Sequence, residues 1–155
     1  MAAGRVAPAA LALLAAVLLS LAFPVGGAAG VALLLAGSAA LVASALLVLG
    51  EDAARHLIYL GVVVDAFTTG AGTATGMPEA GPLARLFLGP MLPVYFTLEA
   101  AIYIAVSVVL EGAFSRHPGL AGRARRLSVA IPATLLWAAA LGNYTLLLRA
   151  GVLGG

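Results

Sequence analysis

Long apolar runs, interrupted at a few polar points, organise this chain. After Arg5 the residues Val6 to Phe23 carry no charge, a Pro24-Val25-Gly26-Gly27 break follows, and a second apolar run extends from about Ala28 to Leu49. Each run has about 18 to 22 residues, enough at about 1.5 Å per helical residue to cross a hydrocarbon core of about 30 Å. The pattern predicts an apolar helical hairpin over residues 1–50. A cleaved signal peptide is the competing reading of the first run, with Arg5 as its basic start, Leu11 to Phe23 as its apolar stretch and small residues at Gly27 to Gly30. Glu51, Asp52, Arg55 and His56 form the first polar cluster and set the next boundary near Leu57.

The second part, residues 51–155, predicts three more spans with a different character. One runs from Leu57 to about Gly76, with Asp65 near its middle and Thr68, Thr69, Thr73 and Thr75 towards its far end. Residues 77–93 then hold Pro78, Pro82, Pro90 and Pro93, which argue against a continuous helix and leave room only for a turn or two at Leu83 to Leu88. A fourth span is expected from Val94 to Leu110, with Glu99 inside it, followed by a polar loop from Glu111 to Arg126. The fifth, Leu127 to Leu148, includes Pro132, Trp137, Asn143 and Tyr144. The expected fold is therefore all-α, a polytopic integral membrane protein of about five transmembrane helices.

Composition supports the same solvent. Of 155 residues, 63% are hydrophobic and 9% charged, and the mean hydropathy is +1.14, so polar cover for a water-soluble surface is lacking. All the basic residues are Arg, and five spans place Arg5, Arg55, Arg116, Arg123, Arg125 and Arg126 on one side with Arg85 and Arg149 on the other. By the positive-inside rule, this predicts a plasma-membrane protein with its N-terminus cytoplasmic, its C-terminus external and the segment 77–93 outside. The Arg116 to Arg126 cluster reads as a topology determinant with a secondary contact to anionic lipid. The pI near 9.5 has the same topological cause, so no nucleic-acid partner is expected.

Little conventional chemistry is open to this chain. No Cys occurs, and the two His, His56 and His117, lie at a span end and in a loop, which leaves no metal site, haem or other cofactor expected. Gly70-Ala71-Gly72 lacks the glycine spacing and preceding strand of a nucleotide loop. Ser and Thr have no nearby base for hydrolase chemistry of the serine type. What remains is Asp65 and Glu99. At about 12 Å and about 16 Å from the cytoplasmic boundary they lie at similar depth, and a bare charge there costs about 2.5 to 3.5 kcal/mol on insertion scales. A protonated acid, a shared proton or a bound cation avoids that cost. The bland alternative is a neutral acid bonded to Thr68, Tyr59 or Tyr103. Asp65, Thr68, Thr69 and Glu99 thus form a candidate intramembrane polar site. Glu79, Arg85 and Asn143 form a candidate external cluster, either a clamp or a small anion site with Glu79 as base. Gly72 to Gly76 is a GxxxG pattern, which predicts close helix packing.

Asp65-Ala66-Phe67-Thr68-Thr69, followed by Glu79-Ala80-Gly81-Pro82-Leu83, resembles a widespread uncharacterised family of small bacterial and archaeal membrane proteins. Its members carry Asp-x-x-Thr-Thr near the end of a span and Glu-x-Asn-Pro after it. The resemblance covers about residues 57–148, and Gly81 stands where the family has Asn. It implies no established activity, only that Asp65, Thr69, Glu79 and Pro82 belong to one constrained cluster.

Three functions are compatible with these features. The leading expectation is an accessory or structural subunit of a larger membrane complex, with the lipid bilayer and other membrane-protein subunits, or further copies of the chain, as partners. The second is a proton- or cation-coupled transporter or channel using Asp65 and Glu99. The third is an intramembrane hydrolase in which the two carboxyls activate water.

Overall fold

The computed structural model describes residues 3–25, 27–49, 51–76 and 91–152, and every regular element among them is helical. The order is α1 (Ala3–Ala22), α2 (Gly27–Val48), the single turn α3 (Glu51–Ala54), α4 (His56–Ala74), α5 (Leu92–Ser115), a 3-10 turn at Ala121–Arg123 and α6 (Ala124–Arg149). Four helices, α2, α4, α5 and α6, are long and apolar enough to cross a membrane, and α1 adds a shorter apolar stretch at Val6–Ala22. The chain is an all-α polytopic membrane protein.

Two boundaries differ from expectation for identifiable reasons. The polar loop expected from Glu111 to Arg126 shrinks, because α5 runs on to Ser115 and α6 already begins at Ala124. Nothing between Leu110 and Ser115 breaks a helix, whereas Pro118 and Gly119 come just after it. The second difference concerns Gly76. α4 stops at Ala74, and Gly76 takes φ +79°, the left-handed conformation that ends helices. Its N–H donates to the Thr73 carbonyl at 3.1 Å. Gly76 is therefore a terminator, and the predicted GxxxG packing face ends at the buried Gly72. Residues 77–90, with Glu79, Pro82 and Arg85, lie outside the described residues.

Lipid offers no hydrophobic drive for one helix to meet another, so contacts depend on small residues and interhelical hydrogen bonds. α6 is the common partner, packing against α2, α4 and α5, while α1 packs on α2. The N-terminal hairpin is consequently docked on the rest through α2. Between α1 and α2, Gly37 lets Leu18 and Leu19 in so closely that a Cβ would lie 2.8 Å from Leu19 Cγ, and Ser44 Oγ donates to the Pro8 carbonyl at 2.8 Å. Between α4 and α6, Gly61 accepts Leu136, and Trp137 Nε1 donates to the Leu57 carbonyl at 3.0 Å. Outward positions carry large apolar side chains such as Val63, Phe67 and Val109, which face lipid. Inward positions include Ser38, Asp65, Thr68, Thr69, Ser107 and Ser128.

These contacts also assign the helix ends. Pro8 with Ser44, and Arg55 with Glu111, mark one end, which carries Arg116, Arg123, Arg125 and Arg126 as well. At the other end the Arg149 guanidinium donates to the carbonyls of Phe23 and Val25 and lies 5.8 Å from the Phe23 ring centre.

Gly61 is the position where this packing is least forgiving. A Cβ there would lie 2.9 Å from Cδ2 of Leu136, itself fully buried. Gly61→Ala is expected to lower stability by about 1 to 3 kcal/mol. Gly70→Ala, with no atom within 4 Å of the added methyl, should be neutral or slightly stabilising. Thermal unfolding of both variants in lipid nanodiscs, followed by helical circular dichroism, checks this; equal melting of the two would contradict the close approach.

Candidate functional site

The site is built on the inner stripe of α4. Stepping back four residues from Asp65 gives Gly61, and stepping forward gives Thr68, Thr69 and Gly72; all are buried. Residues spaced three and four apart share one helical face. The same stripe that admits Leu136 at Gly61 therefore turns Asp65 towards α6.

Asp65 is 6% exposed, and its carboxyl meets an amide from the last helix. Asn143 Nδ2 donates to Asp65 Oδ1 at 3.0 Å and to Thr69 Oγ1 at 3.1 Å. Both N–H groups of one amide are thus spent on two acceptors a turn apart on α4. Sequence reading grouped Asn143 with Glu79 and Arg85 in an external cluster. The structure bonds Asn143 to Asp65 and Thr69; Glu79 and Arg85 lie outside the described residues.

The expected neighbours of Asp65 sort differently as well. Thr68 Oγ1 donates to the carbonyls of Val64 and Asp65, so its hydroxyl serves its own helix. Tyr59 is 51% exposed and stands edge-on to His56. Tyr103 on α5 is partly buried against the core, within electrostatic reach of both Glu99 and Asp65. Asp65, Thr69 and Asn143 are therefore bonded together, and Tyr103 on α5 lies within electrostatic reach of Asp65 and of Glu99 on its own helix.

The ion pair at the basic end gives a ruler for depth. Arg55 Nη2 lies 2.6 Å from Glu111 Oε2, which puts these two residues at one level. Asp65 follows Arg55 by ten residues and Glu99 precedes Glu111 by twelve, so the carboxyls lie about 15 Å and about 18 Å from that level along their helices. Both are near the middle of a core about 30 Å thick. Asn143 also lines a crevice of about 440 Å³ between α2 and α6, with Leu34, Gly142 and Arg149 among the other lining residues.

The sequence singles out Asp65, Thr69, Glu99 and Asn143, but not the bond between Asn143 and Asp65 or the part of Gly61. Asn143 is 78 residues from Asp65, and only the parallel packing of α4 and α6, set by Gly61 and Trp137, brings the two together. The Arg55–Glu111 pair was hidden by the expected loop boundary. Among the described residues, no group of three His, Asp or Glu could hold a metal ion.

The Asn143 amide should be energetically coupled to Asp65. Asn143→Ala is expected to cost about 1 kcal/mol or somewhat more, as intramembrane hydrogen bonds do. A double-mutant cycle with Asp65→Ala, read by unfolding in nanodiscs, should show the two losses to be less than additive; strict additivity would deny the bond any energetic role. Comparison with protein-family models, curated proteins and solved structures finds no match to this chain, so its own geometry carries the functional argument.

Proposed function

We propose that this chain is a proton- or cation-coupled transporter or channel of the plasma membrane that works through Asp65 and Glu99. One observation carries the reading: a buried carboxyl halfway along a membrane-spanning helix, held by an amide donor from a second helix, with a phenol on a third helix within electrostatic reach of both it and Glu99. An ionisable group at that depth is costly, and such groups in membrane proteins mark ion or proton paths. A fixed amide donor lets the carboxyl stay in place through a change of charge, because one of its oxygens keeps an N–H partner in either form. By the positive-inside rule the Arg-rich end is cytoplasmic, with the N-terminus inside and the C-terminus outside.

A second reading, an accessory subunit of a larger membrane complex, is favoured by α5. This helix is apolar on its outer face at Val94, Leu98, Ile102, Val106 and Val109, and it packs mainly on α6. Such a face suits another membrane subunit or a second copy of the chain. Native mass spectrometry of the protein extracted in lipid particles tests it, since fixed-ratio co-purification of larger subunits is its expected outcome.

Ion movement is measured directly in proteoliposomes carrying an internal pH-sensitive dye, under an imposed proton, sodium or potassium gradient. Wild-type protein should dissipate one of these gradients faster than protein-free vesicles. The double variant Asp65→Asn with Glu99→Gln should insert equally well and abolish the difference. Equal rates for wild type and double variant would remove the carboxyl pair from the function.

A further inference from the structure

Four polar residues follow one another along α5 at intervals of four: Glu99, Tyr103, Ser107 and Glu111. Residues four apart on a helix stand one above the next, about 6 Å per step, in a row that slants gently around the axis. This row begins at Glu99, at the depth of Asp65. It ends at Glu111, which is 30% exposed and paired with Arg55 at the basic end. Between them Tyr103 packs against the core and Ser107 is completely buried.

Ser107 differs from six other hydroxyls among the described residues. Thr68, Thr73, Thr75, Thr97, Ser128 and Thr145 each donate to a carbonyl of their own helix three or four residues back. Ser107 Oγ, at 0% exposure, makes no such bond and has no hydrogen-bond partner. Its hydroxyl is left available in the seam between Tyr103 and Glu111. Ser38 is the other fully buried hydroxyl of this kind, but it sits on α2, and no acid occurs on α1 or α2. An orphan hydroxyl in an apolar seam is destabilising, and Ala would fill the same space without that cost.

We infer that this row is a proton path linking the Asp65 and Glu99 carboxyls to the basic end, and that the coupling ion is the proton. The inference rests on the proposed role of those two acids and specifies their access route. Each hydroxyl accepts one proton and releases its own, so Tyr103 and Ser107 are unchanged after a transfer. A step of about 6 Å is spanned by one bridging water between neighbouring oxygens. A dehydrated metal cation needs several oxygens around it at once, and the row supplies about one per helical turn. Among the described residues, Asp65 on α4 reaches the row at Tyr103, Asn143 on α6 bonds to that Asp65, and Arg55 pairs with Glu111 at the basic end.

The test uses the full chain in the same proteoliposomes, with a proton gradient and the variants Ser107→Ala, Ser107→Thr and Tyr103→Phe. Ser107→Ala and Tyr103→Phe are each expected to slow proton flux by about tenfold or more, the scale of losing a positioned proton-transfer group. Ser107→Thr, which keeps a hydroxyl, should restore it. The melting temperature of Ser107→Ala should equal or exceed that of the wild type, because the orphan hydroxyl is gone. Undiminished flux in Ser107→Ala, while Asp65→Asn with Glu99→Gln is inactive, overturns the path and leaves the carboxyl pair in place. A Ser107→Ala variant that loses flux together with stability, and is not rescued by Thr, makes Ser107 a packing residue and also overturns it. Wild-type vesicles no faster than empty ones overturn the path and the proposed function together.

Discussion

Partners for polar groups are scarce in hydrocarbon, and the arrangement of this bundle follows from where the chain finds them. The double donation from Asn143 to Asp65 and Thr69 is the central case. Without it α4 would hold a carboxyl in the middle of the membrane with less to compensate its burial. With it, α4 and α6 are locked in register at that depth. The Trp137 to Leu57 bond fixes the same pair of helices nearer the basic end. Gly61, between the two, supplies the close approach that both bonds require. The site and the packing are thus products of one interface.

The bundle also reverses the usual distribution of residue size and polarity. Many of its large apolar side chains face outward, and its interior mixes Gly, Ala, Ser and Thr with buried Val, Leu and Ile such as Val42, Ile58, Val129 and Leu136. In water this would be an aggregation hazard; in lipid it is the stable arrangement, because outward Val and Leu meet a solvent as apolar as themselves. The exposed face of α5 is intelligible in these terms, and so is the short inventory of interhelical hydrogen bonds.

Much of this was legible in the order of residues. Long uncharged runs separated by Pro-Gly breaks or Arg-bearing loops gave the helices within a few residues, because a membrane span must be apolar over a fixed length. Asp65 and Glu99 were conspicuous for the complementary reason: each is an acid inside such a run. Asn143 was visible as a candidate but its bond to Asp65 was not, since that depends on which helices pack and in which rotation, and neither is encoded locally. The glycine pattern at 72–76 misled because a GxxxG spacing describes a face only while the helix continues, and Gly76 lies beyond its end. Ser107 carried no local signal at all. Its significance appears only when its hydroxyl is compared with the back-bonded hydroxyls elsewhere in the chain.

The position of α6 has a consequence for how the protein is made. This helix contacts α2, α4 and α5, yet it follows all of them in the sequence and so leaves the ribosome after them. The α1–α2 hairpin can close as soon as residues 8 and 44 are both in the membrane, since Ser44 and Pro8 lie within it. α4 and α5 can meet early through the Arg55–Glu111 pair, but the amide bonded to Asp65 is 78 residues downstream. Until Asn143 is threaded, the acid sits in a half-assembled bundle, near the insertion machinery and any water it admits. Closure of the Asp65 site thus waits on α6, whereas the α1–α2 hairpin needs only its own two helices.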